Sequence, residues 1–482
     1  MEALMKNRDG ILAKMAYAAG DIYGGGSFLV VGLLILVFLT DVEGLSGTLA
    51  GLIILIGKVW DAITDPFMGV LSDRTRSRFG RRRVYFLFGS IPVLLSWIML
   101  WYSFGITGDT IKFIYYTIAY IFFSTAFTIV MVPYNAILAE MTTDYNKRSS
   151  FTGVRLGFSG AAAIICAVVP GLITGAFPED PKKGYLTMAI IFAIIFATAW
   201  IFVYRGTWEN HRPASEESFT WKAWISVFKN RSFRKYIRIF VASQMAIDIT
   251  MALAVYFLNV NIRKEHLFVP TMAAILGVQL IFIGVFSVVA QKTNKKVPAI
   301  IGSITWIVAS LILLLFTPRT PDLAIIAVCA LIGIGAAGCN FISWSILPDI
   351  SDVDELMTGK RREGLYSGVS TFLRKMAGGL AVGGIGPLLD IFHYSKQAVT
   401  SGQIDPLTDL GIKLMFCIVP ILFLLFMLYS LRGYKLGKEE YSLLHKLLAN
   451  YRDTEPTAQL EPEAVQVGEL LTGAKSDTFY GK

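Results

Sequence analysis

The sequence predicts an all-α integral membrane protein with twelve transmembrane helices in two six-helix halves. Three observations support this fold class. The chain of 482 residues is 54% hydrophobic and only 16% charged, and its mean hydropathy is +0.58, which excludes an ordinary soluble globule. About twelve apolar runs are long enough to cross a bilayer. Basic residues cluster in the short loops between alternate runs.

Six of these runs precede a central polar stretch and six follow it. The first six are expected at residues 11–40, 45–72, 83–105, 111–140, 150–177 and 185–206. The last six are expected at residues 234–262, 269–290, 296–317, 322–348, 364–393 and 409–433. We therefore divide the chain into an N-terminal half at 1–206, a cytoplasmic middle linker at 207–233, a C-terminal half at 234–433 and a cytoplasmic tail at 434–482. The tail is expected to be solvated and partly disordered.

The basic loops predict the orientation of the chain in its membrane. Lysine and arginine are concentrated at residues 74–83, in the middle linker, at 292–296 and at 360–362, whereas the intervening loops are short and acidic or mixed. Since loops rich in lysine and arginine stay in the cytoplasm, both termini of this multi-pass protein are expected on the cytoplasmic side of the cell membrane. The net charge of +9 is therefore topological and indicates no nucleic-acid partner.

Two short internal matches predict that the halves are repeats of one another. The segment FMGVLS at 67–72 is similar to FIGVFS at 282–287, and ILAE at 137–140 is similar to ILPD at 346–349, at a nearly equal offset. Parallel six-helix repeats that enclose a site near the bilayer midplane are a transporter design. At this offset Leu276 and Leu280 match Asp61 and Asp65, so ion chemistry is expected in the first half alone.

Three charged residues interrupt the second apolar run. Asp61 and Asp65 are four residues apart and Lys58 precedes Asp61 by three, so all three share one face of a helix. Ionisable groups at membrane depth are costly, and two carboxylates at this spacing repel each other unless a cation lies between them or one is protonated. This face is therefore predicted to bind Na⁺ or H⁺. The alternative is a structural Lys–Asp pair beside a neutral aspartate.

Six segments carry a resemblance to a known family. They are YAAGD at 17–21, KVWDAITDPFMG at 58–69, DRTRSRFGRRR at 73–83, VPYNAILAEMTTDYNKRSSFTGVR at 132–155, LPDISDVDELMTGKRREG at 347–364 and FLRK at 372–375. Through them the chain resembles the glycoside–pentoside–hexuronide:cation symporters of the major facilitator superfamily across its whole transmembrane region. The resemblance implies the twelve-helix major facilitator fold. It also implies secondary active symport, by alternating access, of a sugar or glycoside, a pentoside or a hexuronide with Na⁺ or H⁺.

The resemblance further implies a cation site on the second span. Asp61 and Asp65 would bind the coupling cation there, with Thr64 and Thr128 as further ligands. Oxygen ligands suit Na⁺, whereas a proton needs only a carboxylate, so the residue types leave the choice of ion open.

Two lysines are expected to supply the coupling ion pair. Lys58 matches a basic position of the second-span motif, and Lys375 on the eleventh span would approach the cation site. Lys375 would neutralise the carboxylates when the ion is absent, or it would form a permanent structural ion pair.

A solute site is implied between the halves. Asp21 and Arg155 match positions that help to bind the substrate, and an acceptor-only carboxylate such as Asp21 suits sugar hydroxyls. A structural bridge from Asp21 to Arg155 or Lys375 is the alternative. Met131 and Asn135 stand where galactoside carriers of the family have an acid and an aromatic residue, so the resemblance does not extend to a galactoside pocket.

Lys375 and three further polar residues are also candidates for solute binding. Asn135 and Asn340 can donate and accept hydrogen bonds, which suits hydroxyl groups and equally suits contacts between helices. Asp248 is an additional acid on the seventh span. We interpret it as a ligand for the solute or for a second proton, or as the partner of a nearby base.

Charged residues at the cytoplasmic ends of the spans form a predicted gate. They are Asp73, Glu140, Asp144 and Arg148 in the first half, and Asp349, Asp352, Arg361 and Arg362 in the second. Salt bridges between the halves there would hold the cytoplasmic side shut while the outer side is open. The alternative is a solvated charged loop.

The motifs of common enzyme classes are absent from the sequence. None of the four histidines has the HExxH spacing, no GxSxG segment occurs and there is no Walker A motif, so the energy should come from an ion gradient. The expected partners are a small-molecule substrate, most simply a glycoside, the coupling cation and the bilayer. No other cofactor and no particular oligomeric state are predicted. The alternatives are a non-sugar solute such as a lysolipid on the same fold, and a non-transporting membrane receptor.

Overall fold

The structure is a computed structural model that describes residues 10–142, 144–209, 221–360, 362–435, 437–452, 462–476 and 479. Within these residues the regular elements are helices, without a strand. The first seven are α1 (Ile11–Ala18), α2 (Gly20–Val37), α3 (Gly47–Arg74), α4 (Arg83–Leu100), α5 (Asp109–Met141), α6 (Tyr145–Gly175) and α7 (Pro181–Gly206). The next six are α8 (Trp221–Ser226), α9 (Arg231–Tyr256), α10 (Phe268–Lys292), α11 (Lys296–Leu314), α12 (Asp322–Ser345) and α13 (Leu347–Thr358). The last five are α14 (Glu363–Ile391), α15 (Lys396–Ser401), α16 (Pro406–Arg432), α17 (Lys438–Arg452) and α18 (Pro462–Thr472).

Twelve of the described segments are long enough to cross a membrane. Eleven are also apolar enough by composition, and the first of them joins α1 and α2 to a π-helical turn at Phe38–Val42. The twelfth crossing is α14, whose 29 residues include Arg374, Lys375 and several glycines that lower its hydropathy. The predicted all-α, twelve-helix fold is therefore confirmed, and the predicted spans differ from the observed helices by only a few residues at each end.

The two halves meet along three helix pairs. Helix α3 packs against α14, α6 against α10 and α2 against α9. Helices α3 and α14 lie backbone to backbone because glycines face each other across the contact. A Cβ atom on Gly51 would lie 2.3 Å from the carbonyl oxygen of Gly383, and one on Gly47 would lie 2.3 Å from that of Gly386. This close approach brings the polar residues in the middle of α3 and α14 into contact.

The halves are also joined by hydrogen bonds at one end of the bundle. We call the end where α1 begins and the tail helices lie the terminal end, and the opposite end the distal end. At the distal end Asp390 of α14 accepts hydrogen bonds from the backbone N–H groups of Gly47 (2.8 Å) and Thr48 (2.7 Å) on α3. The hydroxyl of Tyr394 donates to Asp41, at 2.9 Å from Oδ2. These bonds cross from one half to the other and close the distal end.

The tail does not behave as the sequence led us to expect. Helices α17 and α18 pack against each other and against α13, and Leu444, Leu447 and Leu448 are buried. Ser232 on α9 donates a 2.7 Å hydrogen bond to the backbone carbonyl of Leu471. The expectation of a solvated appendage was therefore wrong for the described residues of the tail, because leucines three and four positions apart give α17 an apolar face.

Candidate functional site

Helices α3, α5 and α14 bring two carboxylates, a hydroxyl and an ammonium group together in the middle of the bundle. Lys375 Nζ lies 2.8 Å from Asp61 Oδ2 and 2.5 Å from Asp65 Oδ2. Thr128 Oγ1 lies 3.1 Å from Asp61 Oδ1 and 2.8 Å from Asp65 Oδ1. We call these four residues the carboxylate cluster. The second half contributes Lys375, and the first half contributes the other three.

A lysine ammonium group supplies the positive charge of the carboxylate cluster. The side chain of Asp61 is 1% exposed and that of Asp65 is 25% exposed. Two carboxylates at such depth cannot both stay charged without a cation beside them, and Lys375 provides it in this conformation. Carboxylate and hydroxyl oxygens are also the ligands that a hard cation such as Na⁺ prefers.

Two predicted members of the site lie apart from the carboxylate cluster. The Thr64 hydroxyl donates to two backbone carbonyl groups of its own helix, at 3.0 and 3.3 Å, so in this conformation it does not contact the carboxylates. Lys58 forms no hydrogen bond or ion pair with the part of the chain that the structure describes. Its ammonium group lies 5.7 Å from the ring centre of Phe28. Of the two lysines predicted for the coupling pair, the structure brings Lys375 to the carboxylates.

A second charged pair lies nearer the terminal end. Arg155 on α6 donates two hydrogen bonds of 3.0 Å to the carboxylate of Asp21 on α2, and one of 2.8 Å to Asn135 on α5. Its guanidinium group also lies 4.5 Å from the ring centre of Tyr134. The structure thus brings these three predicted solute residues together. In this conformation Asp21 and Arg155 bond to each other, which is the structural alternative considered above.

A third charged group connects α9, α12 and α14. Arg374, the chain neighbour of Lys375, donates from Nε to Gln244 (2.8 Å), and Gln244 donates to Asn340 (3.2 Å). The Nη2 atom of Arg374 lies 4.0 Å from Asp248 Oδ1. Sequence reasoning singled out Asp248 and Asn340 but missed Arg374 and Gln244. The available signal for Arg374 was a second basic residue beside Lys375 in the FLRK segment, whereas Gln244 offered no signal beyond its polarity.

A cavity of about 390 Å³ lies between the halves, in the size range of sites for small molecules. Its charged walls are Lys58, Asp61, Asp248, Arg374 and Lys375. The other walls are the glycines of α2 together with apolar side chains that include Phe28, Phe127, Ile247 and Met251. Asp61 and Lys375 therefore belong both to the carboxylate cluster and to the wall of the cavity, so that a bound ion and a bound solute would be neighbours.

The residues predicted as a gate lie at the terminal end. In the first half Glu140 pairs with Arg82, which also pairs with Asp73. Asp144 caps the first turn of α6, and Arg148 donates to a backbone carbonyl at 2.7 Å. These contacts stay within the first half.

The gate residues of the second half are also paired locally. Their contacts are Asp349 with Lys295 (2.6 Å), Arg362 with Asp354 (2.6 Å) and Asp352 with Tyr441 of the tail (3.1 Å). Arg361 lies outside the described residues. The ion pairs of Glu140 with Arg82 and of Asp349 with Lys295 at the terminal end thus each join residues of the same half, whereas the bonds of Asp390 and Asp41 at the distal end join the halves.

Comparison with known proteins identifies the family. The sequence profile of the family described as MFS/sugar transport protein matches residues 16–438. YnaJ of Bacillus subtilis, an uncharacterized symporter, is 29% identical over 450 residues, which cover 91% of this chain and 95% of that protein. YagG of Escherichia coli, named for glycoside/cation symport, is 27% identical over 452 residues, with the same coverage of 91% and 95%. The sodium-dependent lysophosphatidylcholine symporter 1-B of Danio rerio is 23% identical over 499 residues, which cover 96% and 94%.

Solved structures share the fold at low sequence identity. A bacterial homologue of the human lysosomal transporter Spinster has a TM-score of 0.66 and 12% identity, covering 93% of this chain and 98% of that chain. The D-xylose-proton symporter has a TM-score of 0.59 and 14% identity, covering 86% and 96%. The match of the family profile to most of the chain confirms the resemblance found in the sequence. The chain therefore belongs to the MFS/sugar transport protein family of multi-pass membrane transporters, and it is not an enzyme.

Proposed function

We propose that the protein couples the movement of a sugar-like solute, in the first instance a glycoside, to that of Na⁺ or H⁺. One observation carries the proposal. The ammonium group of Lys375 on the second half is bound by Asp61 and Asp65 on the first half, at the edge of the cavity between the halves. A cation that competes with this ion pair changes both the contact between the halves and the charge beside the solute, so the two binding events are linked.

In the proposed cycle the coupling cation replaces Lys375 at the two carboxylates. The cation supplies the positive charge beside Asp61 and Asp65 and releases the ammonium group, while Thr128 turns its oxygen toward the ion. A site that held neither lysine nor cation would expose two charges to a low-dielectric interior, which disfavours movement of the halves past each other. The carrier therefore reorients with the lysine in place, or with both cation and solute bound.

We assign this conformation to a state that is open toward the terminal end, which we place in the cytoplasm on the basis of the basic loops. Two features support the assignment: Asp390 and Asp41 join the halves at the distal end, and the gate residues Glu140 and Asp349 each pair with a residue of their own half. In the opposite state Asp390 would release α3. The gate residues at the terminal end, such as Glu140 and Asp349, would then pair between the halves.

Transport into proteoliposomes tests this proposal. The probes are labelled glycosides, pentosides and lysophosphatidylcholine, each with an imposed Na⁺ gradient, an imposed H⁺ gradient or none. We expect one glycoside to accumulate under one gradient, and Asp65→Asn to abolish the accumulation. Asp109→Asn, which alters an exposed acid at the start of α5, is the matched control. Normal gradient-driven accumulation by Asp65→Asn would refute the coupling role of the carboxylate cluster.

A lysolipid is the second candidate solute. The apolar cavity wall at Phe28, Phe127 and Met251 suits an alkyl chain as well as a sugar ring, and a relative that covers nearly the whole chain is named for lysophosphatidylcholine. In the same assay, accumulation of lysophosphatidylcholine but of no glycoside would support the cation coupling and would identify a lysolipid, not a glycoside, as the solute.

A further inference from the structure

Two basic side chains face the cavity and share a single acidic neighbour outside the carboxylate cluster. Lys58 has no ion-pair partner among the described residues, and the shortest ion-pair distance from Arg374 to Asp248 is 4.0 Å. Charge-assisted hydrogen bonds are shorter, at about 2.7–2.9 Å. Lys58 and Arg374 against Asp248 therefore leave one positive charge in excess in this part of the cavity, with hydrogen-bond donors unused. The neighbouring carboxylate cluster, with two carboxylates and one ammonium group, has one negative charge in excess.

The three side chains meet in one corner because α14 has no side chain there. A Cβ atom on Gly378 would lie 2.5 Å from Asp248 Oδ2 and 3.7 Å from Lys58 Nζ. The Asp248 carboxylate and the Lys58 ammonium group thus both lie beside the space that a methyl group on Gly378 would fill, one turn from Arg374. An acidic ligand that entered this corner would meet both basic groups.

Arg374 is held in a fixed orientation by other residues. Its Nε donates to Gln244, and Gln244 donates to Asn340, so the side chain is anchored through Nε. The Arg374 side chain is 36% exposed, and it lines the cavity. A planar guanidinium group whose two terminal nitrogens form no hydrogen bond with the described residues matches the geometry of a carboxylate, sulfonate or phosphate.

We propose that Arg374 and Lys58 form an anion subsite and that the transported solute carries an acidic group, a carboxylate, sulfonate or phosphate ester, which displaces Asp248 as their counter-ion. Asp248 then acts as an internal competitor and not as a ligand for hydroxyl groups. The subsite rests on the proposed solute role of the cavity, and it narrows the solute to molecules that bear an acid.

The subsite also gives a physical reason for coupling. While Asp61 and Asp65 hold Lys375, the positive excess of the corner is offset by the negative excess of the carboxylate cluster. When a monovalent cation takes over these carboxylates, Lys375 stays in the cavity wall, and the charged groups around the cavity together carry one positive charge. The cavity then attracts an acidic solute more strongly, and by linkage the acidic solute raises the cation affinity by the same factor. This change in charge does not raise the affinity of the cavity for an uncharged solute.

Equilibrium binding to the purified full-length protein tests the subsite without relying on transport. The probes are matched pairs of methyl hexosides and methyl hexuronides, together with lysophosphatidic acid and its uncharged monoacylglycerol counterpart. Calorimetry is run with and without Na⁺ and at two pH values. We expect an acidic probe to bind more tightly than its uncharged partner. Arg374→Gln should lower the affinity for the acidic probe by about 30-fold or more. Lys413→Met, which removes a basic group bonded to a backbone carbonyl far from the cavity, is the control.

The effect of Asp248→Asn on the affinity for the acidic probe distinguishes an anion subsite from a site that binds hydroxyl groups. Removal of the internal competitor should tighten binding of the acidic probe, whereas loss of a hydroxyl ligand would weaken it. Weaker binding by Asp248→Asn, equal binding of both members of every pair, or no binding of any acidic probe overturns the inference.

Failure of the anion subsite and failure of the proposed transport function give different experimental results. Arg374-dependent binding of an acid without gradient-driven accumulation would refute the transport proposal and support the subsite. Accumulation of an uncharged solute that Arg374→Gln leaves unchanged would support transport and overturn the subsite.

Discussion

Two charged clusters border the same cavity and differ in how completely their members are paired. In the carboxylate cluster Lys375 contacts Asp61 and Asp65 at 2.8 and 2.5 Å. In the neighbouring corner Arg374 lies 4.0 Å from Asp248, and Lys58 has no ion pair among the described residues. The residue types are alike, and both clusters contain residues from the two halves of the bundle.

The difference separates two kinds of binding site. A cluster whose groups are bonded to one another can admit a ligand only by exchange, so its ligand must carry the same charge as the group it replaces. A cluster with a surplus charge and unused donors attracts a ligand of the opposite charge. We therefore expect the carboxylate cluster to exchange Lys375 for a cation, and the Arg374 corner to take an acid. A substitution in one cluster can be compared with ligand binding at the other as a reference.

The largest effect is expected from Lys375→Met. This change leaves Asp61 and Asp65 in the interior without their partner, and breaking such a buried pair costs about 3–5 kcal/mol. Transport should be lost and the unfolding temperature in detergent should fall. If Na⁺ is the coupling ion, added Na⁺ should stabilise the variant more than the wild type, because the ion replaces the missing ammonium group. An unchanged response to both Na⁺ and pH would contradict the exchange of Lys375 for a cation.

A smaller effect, confined to the other cluster, is expected from Gln244→Leu. Its amide orients Arg374 through a 2.8 Å hydrogen bond, and hydrogen bonds to charged groups contribute about 1.5–3 kcal/mol, or roughly 10- to 100-fold in affinity. Calorimetry should show weaker binding of acidic probes with unchanged cation affinity. Gln291→Leu, an exposed glutamine at the end of α10, is the control. Equal losses of acid and cation binding would show that the clusters are not separable.

The two threonines predicted as cation ligands provide a matched pair of substitutions. Thr128 contacts both carboxylates, whereas Thr64 bonds to its own helix. We expect Thr128→Val to lower cation affinity by about 1–1.5 kcal/mol, roughly tenfold, and Thr64→Val to have little effect. Cation-dependent thermal stabilisation measures both variants. An equal loss in Thr64→Val would mean that Thr64 turns toward the ion in another state.

The smallest effect is expected at the distal end. Asp390→Asn keeps the shape of the side chain but weakens its bonds to the N–H groups of α3, at a cost of about 1 kcal/mol. The distal end should then open more often. A cysteine introduced by Val382→Cys, between the cavity and the distal end, should react faster with an impermeant thiol reagent from that side, against a low background because the native cysteines are buried. No change in labelling would show that Asp390 does not hold the distal end closed.

Sequence reasoning located Asp61 and Asp65 because their signal is local, whereas Thr128 and Lys375 were assigned to the site through the family resemblance. Asp61 and Asp65 lie one turn apart in an apolar run, and the cost of burying charge makes such a pair conspicuous without knowledge of its surroundings. Gln244 could not be found in this way, since an isolated amide in an apolar helix has no periodic signal. The tail was misjudged for a related reason: the leucines of α17 were visible, but whether a partner surface existed for them depended on the position of α13.

The sequence by itself determined the all-α class, the number and approximate limits of the spans, and the family, because hydropathy, helical spacing and long motifs are properties of contiguous residues. The tertiary structure alone decided which charges are satisfied. Lys58 and Lys375 are both lysines within apolar segments, yet Lys375 meets two carboxylates from the other half and Lys58 meets none among the described residues. Pairing depends on distances between helices that are far apart in the chain, and those distances are set by the glycine contact between α3 and α14.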